Sequence, residues 1–363
     1  MTQLALRCGI YGCSGYVNTN LLYIKGLLEL GVNLKIVDQP IEYLYTIENA
    51  DTREMLKKAI DTPLEDDFIY LNRTILPEFK PWHGAKKTFA STVWETSSYP
   101  EQWLNLINNS ADINTIIVPS HFNRDILEND INKPVVIVRE GIDFSLIKPK
   151  VLKDSNTFNF FSLFQWLPRK SYDILLEAFF REFDNNDDVS LTIKTSSLNY
   201  EILPSSAILT YIVSVKNKYK RTYPVYVNTT SLPYEKIADL FSNADAFISP
   251  SRCEGYNRVV LEAMANELPV IATNWSGQTE FITNENSYLL EYQLRPVESQ
   301  WYSGDFQSYM EWAEPSIDHL QYLLRHVYNN REEAKSKAKQ AKQDSLKFDY
   351  LQIAQNLKDV LGI

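Results

Sequence analysis

Apolar runs alternate with amphipathic stretches along the first third of the chain. Residues 16–30 place leucine and isoleucine on one helical face, and Gly31 follows at the position typical of a helix C-terminus. Short apolar runs around this helix predict strands at 4–12, 34–38, 88–94, 113–119 and 134–138. Strands that alternate with helices predict a parallel sheet with helices on both faces. The pattern between Pro40 and Lys87 predicts no definite element.

The same alternation returns in the second half of the chain. Predicted helices lie at 172–183 and 233–244, and predicted strands at 158–166, 189–195, 223–228, 245–250, 270–273 and 287–291. Residues 141–150 contain Gly141 and Pro149 and are typical of a linker. The pattern therefore predicts two α/β domains, at 1–150 and 151–345, followed by a separate C-terminal segment at 346–363.

Composition and charge narrow the class of protein. The chain has 363 residues, of which 44% are hydrophobic and 23% charged, as in a soluble globular protein. A net charge of −10 argues against nucleic acid as the main partner. No apolar run reaches the ~18 residues of a membrane span, and the N-terminus has no signal-peptide pattern. We therefore expect a cytoplasmic protein without a transmembrane segment.

Two further features have simple interpretations. The three cysteines, Cys8, Cys13 and Cys253, are odd in number and lack metal-site spacing, so we expect no zinc site, and a reduced cytoplasm is the simpler setting. The lysine-rich stretch at 331–343 predicts a solvated helix face. Its alternative use is a weak peripheral contact with an anionic lipid surface.

The run from Ile248 to Ile282, ISPSRCEGYNRVVLEAMANELPVIATNWSGQTEFI, is the most informative part of the chain. It predicts a buried strand, a turn, an amphipathic helix and a second strand. Glu254 lies in the turn beside Gly255, and Glu262 lies about two helical turns further on. The helix N-terminus between them offers free N–H groups and a positive dipole end for a phosphate. Two acids around an anion site suit a nucleotide sugar.

This run resembles the family 4 glycosyltransferases, which are retaining enzymes of the GT-B fold with a Glu-x7-Glu motif. The matching stretch is PSRCEGYNRVVLEAMANELPVIAT, from Pro250 to Thr273. The family usually has glycine at the positions of Asn257 and Glu267, and asparagine is the next best residue at positive φ. The resemblance implies two Rossmann-like domains that face each other across a cleft, with the acceptor side first and the donor side second. It also implies a C-terminal helix, at 346–363, that crosses back to the first domain.

A second stretch, LFQWLPRKSYDILLEAF at 163–179, resembles the family signature GR-x4-KG-x3-LLEAF. Lys170 matches the family lysine, and Arg169 stands beside it. Two cations at a helix entry neutralise a pyrophosphate, whose charge grows in the transition state. Gln165 stands where most members have arginine, and Phe164 and Ser171 replace glycines. The alternative is an ordinary solvated turn, because arginine and lysine are usually exposed.

The loop GIYGCSGY at 9–16 follows a predicted strand and precedes a predicted helix. Its glycines are spaced differently from the dinucleotide fingerprint G-x-G-x-x-G. Asp38 ends the next strand, where dehydrogenases hold an acid for ribose, so an NAD(P)-dependent dehydrogenase stays open as an alternative. In GT-B enzymes this loop approaches the donor phosphate and the acceptor, which implies cleft positions for Gly12 and Gly15. A tight turn that needs small residues is the simpler alternative.

Two more stretches, STVWETSSYPEQW at 91–103 and VPSHFNRDI at 118–126, resemble one subgroup of the family. The resemblance suggests that Glu95 binds an acceptor hydroxyl and that His121 positions a donor or acceptor group. The alternatives are a carboxylate that favours a following helix N-terminus and a surface histidine beside a helix start.

Taken with the resemblance, these features predict a retaining, metal-independent hexosyltransferase. Its donor would be a UDP- or GDP-sugar and its acceptor a glycan or a lipid-linked hydroxyl, with no other cofactor. A nucleotide-sugar-binding protein without turnover is the alternative, because Gln165 and Asn257 depart from the family pattern. The residues assigned to catalysis are Glu254, Arg169 and Lys170. The residues assigned to donor binding are Glu262, Gly255, Tyr256, Asn257, Arg258 and Gln165, and those assigned to the cleft are Gly12, Gly15, Glu95 and His121.

Overall fold

A computed structural model describes residues 2–12, 14–39, 41–151, 156–196, 204–298 and 305–363. The chain forms two compact units. The first unit comprises Met1–Asp143 with Lys347–Ile363, and the second comprises Phe144–Leu346. Cys13, one of the three cysteines, lies outside the described residues.

The first unit is built on a six-stranded parallel sheet of order β2-β1-β3-β4-β5-β6. Its strands are β1 (Gln3–Cys8), β2 (Leu34–Ile36), β3 (Phe68–Arg73), β4 (Thr88–Ser91), β5 (Thr115–Val118) and β6 (Val135–Ile137). Its α-helices within the first 143 residues are α1 (Gly15–Glu29), α2 (Ala50–Asp61), α3 (Glu101–Asn109) and α4 (His121–Asp125). Every residue of β1, β4 and β5 is buried, as expected for parallel strands that are covered on both faces.

The second unit contains another six-stranded parallel sheet, of order β12-β11-β10-β7-β8-β9. Its strands are β7 (Phe158–Gln165), β8 (Val189–Ser196), β9 (Val225–Asn228), β10 (Ala246–Ser249), β11 (Val270–Thr273) and β12 (Tyr288–Leu290). An antiparallel ribbon joins β13 (Tyr292–Pro296) to β14 (Glu311–Pro315). Its helices are α5 (Tyr172–Glu182), α6 (Ser205–Lys218), α7 (Tyr234–Ser242), α8 (Arg258–Ala265), α9 (Ile317–Asn329) and α10 (Arg331–Ser345).

The C-terminal segment completes the first unit. Its helix α11 (Tyr350–Leu361) packs against α1. A Cβ atom at Gly26 of α1 would lie only 2.5 Å from the Cβ atom of Ala354, so this close helix contact requires a glycine. The backbone N–H of Ile142 donates to the carbonyl of Phe348 at 2.8 Å, which ties the segment to the end of the first 143 residues.

The predicted α/β class with two Rossmann-like parallel sheets is confirmed. The sequence pattern did not predict β3, although this strand lies inside the first sheet. All six of its residues are buried, and two of them are Asn72 and Arg73, so neither alternation nor a pure apolar run marks the strand. Helix α6 and the ribbon of β13 and β14 also had no counterpart in the prediction.

Each parallel sheet has one point at which the chain reverses its direction of winding. In the first sheet this point lies between β1 and β3, and in the second it lies between β7 and β10. Open α/β sheets bind ligands outside the carboxyl ends of the strands at such a switch point. The topology therefore predicts a ligand site beside the ends of these strands. They end at Cys8 and Arg73 in the first unit and at Gln165 and Ser249 in the second.

Candidate active site

A tight turn follows β7 and carries the two predicted cations. Residues Pro168–Lys170 form a 3₁₀ turn in which the N–H of Lys170 donates to the carbonyl of Leu167 at 2.9 Å. Ser171 then adopts φ 54° and starts α5. The reversal directs Arg169 and Lys170 toward the loop after β10, where they meet Glu254.

Glu254 forms an ion pair with both cations. Lys170 Nζ lies 2.5 and 2.6 Å from its two carboxylate oxygens, and Arg169 Nη1 donates to Oε2 at 3.2 Å. Only 4% of Glu254 is exposed. Burial by itself would raise the pKa of this carboxyl group, but the charges of Lys170 and Arg169 and hydrogen bonds from Lys170 and Ser251 hold the pKa below its ordinary value. Glu254 is therefore ionised at neutral pH.

The loop after β11 supports the backbone of Glu254. The N–H of Glu254 donates to Ser276 Oγ at 3.0 Å, and the N–H of Gly277 donates to the carbonyl of Glu254 at 2.8 Å. A Cβ atom at Gly277 would lie 2.1 Å from the carbonyl oxygen of Gly255, so no side chain fits there. The Ser-Gly pair lies in NWSGQTEFI, the last part of the run at 248–282, and its contact with the backbone of Glu254 is seen only in the structure.

Three positions where the family usually has glycine adopt the left-handed conformation. Ser171 has φ 54°, Asn257 has φ 68° and Glu267 has φ 58°. The positive φ expected of Asn257 is therefore confirmed. Its side-chain amide donates to Ser249 Oγ at 3.0 Å and to Gln278 Oε1 at 3.2 Å, so the turn that opens α8 is fixed by hydrogen bonds.

The second acid, Glu262, lies inside α8 and has its own partner. Arg258 Nε donates to Glu262 Oε1 at 2.8 Å, one helical turn away, and both residues are buried. Burial, and then the charge of Glu262, raises the pKa of Tyr234 on α7, so this phenol is protonated beside the pair. Tyr234 was not among the residues predicted from the sequence.

Arg252 stabilises the turn Pro168–Lys170, which is called the cation turn below. The sequence did not predict this role. Arg252 is 7% exposed and donates to the carbonyl of Pro168 at 2.7 Å. Its guanidinium makes two hydrogen bonds to each of two carboxylates, Asp173 at 3.0 and 2.8 Å and Glu314 at 2.6 and 2.9 Å. Its backbone N–H donates to the carbonyl of Arg169 at 2.7 Å. Arg252 therefore links the turn, α5 and β14.

The other residues predicted for the second unit surround this cluster. Gln165 ends β7, three residues before the turn, and Gly255 follows Glu254 directly. Tyr256 is 3% exposed, and its ring meets the edge of Phe281 at 5.3 Å between centroids. In the protein without ligand, Tyr256 therefore packs in the interior. Gln165 is only partly buried.

The remaining predicted residues belong to the first unit. Gly12 has φ 103°, a conformation that favours glycine, and Gly15 begins α1. Glu95 follows β4, and His121 is exposed at the start of α4. Asp38, the acid of the dehydrogenase alternative, is bound by Arg7 Nε at 2.8 Å and Lys80 Nζ at 3.1 Å.

Among the residues that the structure describes, no group of three or more histidine, cysteine, aspartate or glutamate side chains is arranged to hold a metal ion. No helix within the described ranges is both long and apolar enough to cross a membrane.

Known proteins resemble this chain in sequence and in structure. Residues 155–296 match the family model described as Glycosyl transferases group 1. The solved structure of Anabaena HepE with UDP and glucose covers 99% of both chains at a TM-score of 0.67 and 15% identity. A glycosyltransferase from Rickettsia africae covers 99% of both chains at a TM-score of 0.70 and 17% identity. The chain has the GT-B fold.

A curated relative is an uncharacterized glycosyltransferase of Methanocaldococcus jannaschii, 21% identical over 227 residues. The alignment covers 62% of this chain and 57% of that protein, so the chain matches little more than half the length of this relative. The family match lies entirely within the second unit, which contains the cluster of Glu254, Arg169 and Lys170.

Proposed function

We propose that this GT-B chain is a retaining glycosyltransferase that moves a hexosyl group from a nucleoside-diphosphate sugar to a hydroxyl. The observation that carries the proposal is the buried ion-pair cluster of Glu254 with Lys170 and Arg169, located where β7 and β10 end. This is the switch point of the second sheet, where open α/β folds bind ligands. The family match over residues 155–296 supports it.

The donor diphosphate would bind to Arg169 and Lys170. Both cations already converge on one carboxylate, so a phosphate oxygen at the same distance meets two preorganised charges. Glu254 shares these cations in the free protein and would turn toward hydroxyls of the transferred sugar when the diphosphate takes part of their charge. Glu262, aligned by Arg258, would accept hydrogen bonds from the ribose hydroxyls.

The transfer itself needs no separate general base. The bond between the anomeric carbon and the diphosphate oxygen breaks while the acceptor oxygen forms a bond to that carbon from the same face. The acceptor proton passes to the leaving phosphate oxygen, so charge and atoms balance. Arg169 and Lys170 stabilise the negative charge that grows on the leaving group, the step at which preorganised charges help most.

For the substrates, we propose a UDP- or GDP-sugar as donor and a glycan or lipid-linked hydroxyl as acceptor. The UDP bound to the structurally similar Anabaena protein favours uridine. We further propose that no metal is required, because Arg169, Lys170 and the N-terminus of α8 supply fixed positive charge at the diphosphate. Transfer should therefore persist in excess EDTA, and its loss on chelation with recovery on added Mn²⁺ would contradict this mechanism.

A thermal-shift panel of UDP, GDP, NAD and NADP tests the class of ligand. A nucleotide at ~100 times its Kd adds ~2.7 kcal/mol of stability, which is enough to rank the four. The double variant Arg169→Gln with Lys170→Gln should lose the shift caused by the nucleoside diphosphate. A shift by NAD alone would favour the dehydrogenase, although the ion pairs of Asp38 argue against it.

The chain offers a matched control for that double variant. Arg181 and Lys218 converge on Glu177 as Arg169 and Lys170 converge on Glu254, but at the far end of α5. Arg181→Gln with Lys218→Gln should keep the nucleotide shift. Equal shifts in both double variants would move the diphosphate site elsewhere. If nucleotide raises the melting temperature of the wild-type protein but no sugar is transferred to any acceptor, the chain would be a nucleotide-sugar-binding protein without turnover.

A further inference from the structure

Four arginines are buried among the described residues, and one of them differs from the rest. Arg7 pairs with Asp38 at 2.8 Å, Arg252 with Asp173 and Glu314, and Arg258 with Glu262. Arg73 is 5% exposed, yet no carboxylate of the described residues forms an ion pair with it. Buried charges are normally paired because an unpaired charge in the interior is costly.

Neutral groups of the first unit provide the contacts that Arg73 does make. Its Nε donates to Asn20 Oδ1 at 2.7 Å, and its Nη1 donates to Ser91 Oγ at 3.2 Å. The guanidinium lies over the rings of Tyr23 and Tyr16, at 4.5 and 5.4 Å from the ring centroids. A further side-chain hydrogen bond links Arg73 to Tyr23. These contacts orient the cation and still leave part of its five donor hydrogens for a ligand.

A polar group beside Arg73 is buried without a hydrogen-bond partner among the described residues. The hydroxyl of Tyr16 is buried and makes no hydrogen bond within the part of the chain that the structure describes. Burial raises the pKa of this phenol to about 12, so it stays a donor at neutral pH. A buried donor without an acceptor is costly. A cation with unused donor hydrogens therefore adjoins a hydroxyl that has no acceptor.

Their place in the fold is where a ligand is expected. Arg73 ends β3 and Ser91 ends β4, while Tyr16 lies in the first turn of the helix that follows β1. They surround the switch point between β1 and β3, at the carboxyl edge of the first sheet. Glu140, a buried acid of the same unit, accepts from Thr19 Oγ1 at 2.9 Å and interacts electrostatically with Arg73 without forming an ion pair with it.

We propose that Arg73 and Tyr16 bind an oxyanion, a phosphate or a carboxylate, at the switch point of the first sheet. Arg73 would supply the charge and a paired set of N–H donors, and the Tyr16 hydroxyl a further hydrogen bond. The assignment of this oxyanion site to the acceptor rests on the proposed transferase function. The acceptor would then carry an acidic group, as a sugar phosphate or a uronic acid does, in addition to the hydroxyl that receives the sugar.

The test measures anion binding apart from the donor site. The background is the Arg169→Gln, Lys170→Gln protein, which lacks the two cations proposed to bind the donor diphosphate. Calorimetry with inorganic phosphate should show binding in this background. Arg73→Gln should weaken it by about tenfold or more, because the site loses its positive charge and the charged hydrogen bonds that Arg73 donates. No phosphate binding in this background, or equal binding with and without Arg73, would overturn the proposal.

Two further variants separate binding from folding. Tyr16→Phe removes an unpaired hydroxyl, so the melting temperature should stay level or rise while phosphate affinity falls. A purely structural hydroxyl would leave the affinity unchanged, and that result counts against the site. Arg7→Gln is the matched control, because Arg7 is a buried arginine of the same sheet with a carboxylate partner. It should lower the melting temperature and leave phosphate affinity unchanged.

The class of acceptor follows from three probes in the same assay. Glucose 6-phosphate and glucuronate should bind more tightly than glucose, and their order tells phosphate from carboxylate. Equal binding of glucose would contradict an oxyanion site. Nucleotide binding by the intact protein is measured separately, so a failed donor assignment leaves the result at Arg73 standing. Intact nucleotide binding with no anion site would overturn this inference alone.

Discussion

The Nζ atom of Lys170 lies 2.5 Å from Oε1 of Glu254, although the two residues are 84 positions apart in the chain. Both side chains are largely buried, so the pair is shielded from water and from salt. With Arg169 included, the cluster contains two positive charges and one negative charge. It therefore keeps a net positive charge for a diphosphate, and it holds the cations in position before any ligand arrives.

Replacing Glu254 by glutamine should separate binding from catalysis. The cations lose their internal counter-charge, so affinity for UDP or GDP should stay level or increase. Turnover should fall by about 100-fold, the cost typical of a misplaced reacting sugar. Calorimetry and steady-state assays on one preparation measure both quantities. Wild-type turnover in the folded variant would remove Glu254 from the reaction.

Glu262→Gln should weaken nucleotide binding, in contrast to Glu254→Gln. The ribose hydroxyls lose a charged acceptor, and each such bond is worth about 1.5–3 kcal/mol, so nucleotide affinity should fall by about tenfold or more. Arg258 is left buried without its carboxylate, so thermal stability should fall too. Glutamine keeps the volume of the side chain. Calorimetry that finds unchanged nucleotide affinity would exclude the ribose role.

Arg252→Met should loosen the turn that carries Arg169 and Lys170. The turn loses the hydrogen bond to the carbonyl of Pro168 and the link to Asp173 and Glu314, so nucleotide affinity and kcat should both fall.

The control for Arg252 is Arg325→Met. Arg325 bridges Glu182 and Asp187 with comparable hydrogen bonds, at a distance from the cation turn along α5. Both variants should melt at a lower temperature, but only Arg252→Met should bind nucleotide more weakly. Parallel losses of affinity in the two proteins would mean that the effect is general destabilisation.

Ser171→Gly should stabilise the protein by about 1 kcal/mol. Glycine relieves the left-handed strain of about 1–2 kcal/mol at φ 54° and removes a buried hydroxyl that lacks a hydrogen-bond partner, at some cost in chain entropy. Ser214→Gly, on an exposed face within α6, should instead destabilise by about 0.5–1 kcal/mol. Denaturant titration measures both, and a loss of stability at Ser171 would contradict the strain.

The free energy of unfolding should depend on pH through Glu254. Its pKa in the folded protein is below the ordinary value of 4.5, so its stabilising contribution is complete above that pH. As the pH falls through the lower folded pKa, the carboxylate is protonated and the contribution disappears. The stability difference between the wild type and Glu254→Gln should therefore be constant near neutrality and shrink below pH 4.5. A difference that persists in acid would mean that packing is responsible.

Much of the fold was readable from the sequence because its signals are local. Strand β7, helix α5 and the unit from β10 to β11 each carry their own periodicity and turn residues, so the prediction located them to within a few positions. Glu254 and Gly255 were placed in their turn for the same reason, since a strand, a turn and a helix follow one another there, whereas Asn257 was singled out through the family resemblance.

Other features depended on residues that are distant in the chain. Strand β3 is defined by its neighbours β1 and β4, because its polar residues are buried only within the assembled sheet. The brace of Arg252 joins Asp173, 79 positions earlier, to Glu314, 62 positions later. Nothing in the local pattern distinguishes this arginine from a solvated one.

The sequence by itself determined the α/β class, the order of most elements and the turn that presents Glu254. Periodicity and turn chemistry depend on residues that are neighbours in the chain, so the sequence shows them directly. Only the tertiary structure decided which charges are paired, and thus that Arg169 and Lys170 share Glu254, while no carboxylate of the described residues forms an ion pair with Arg73. Ion pairing depends on distances of a few ångströms between segments that the chain brings together only when it folds.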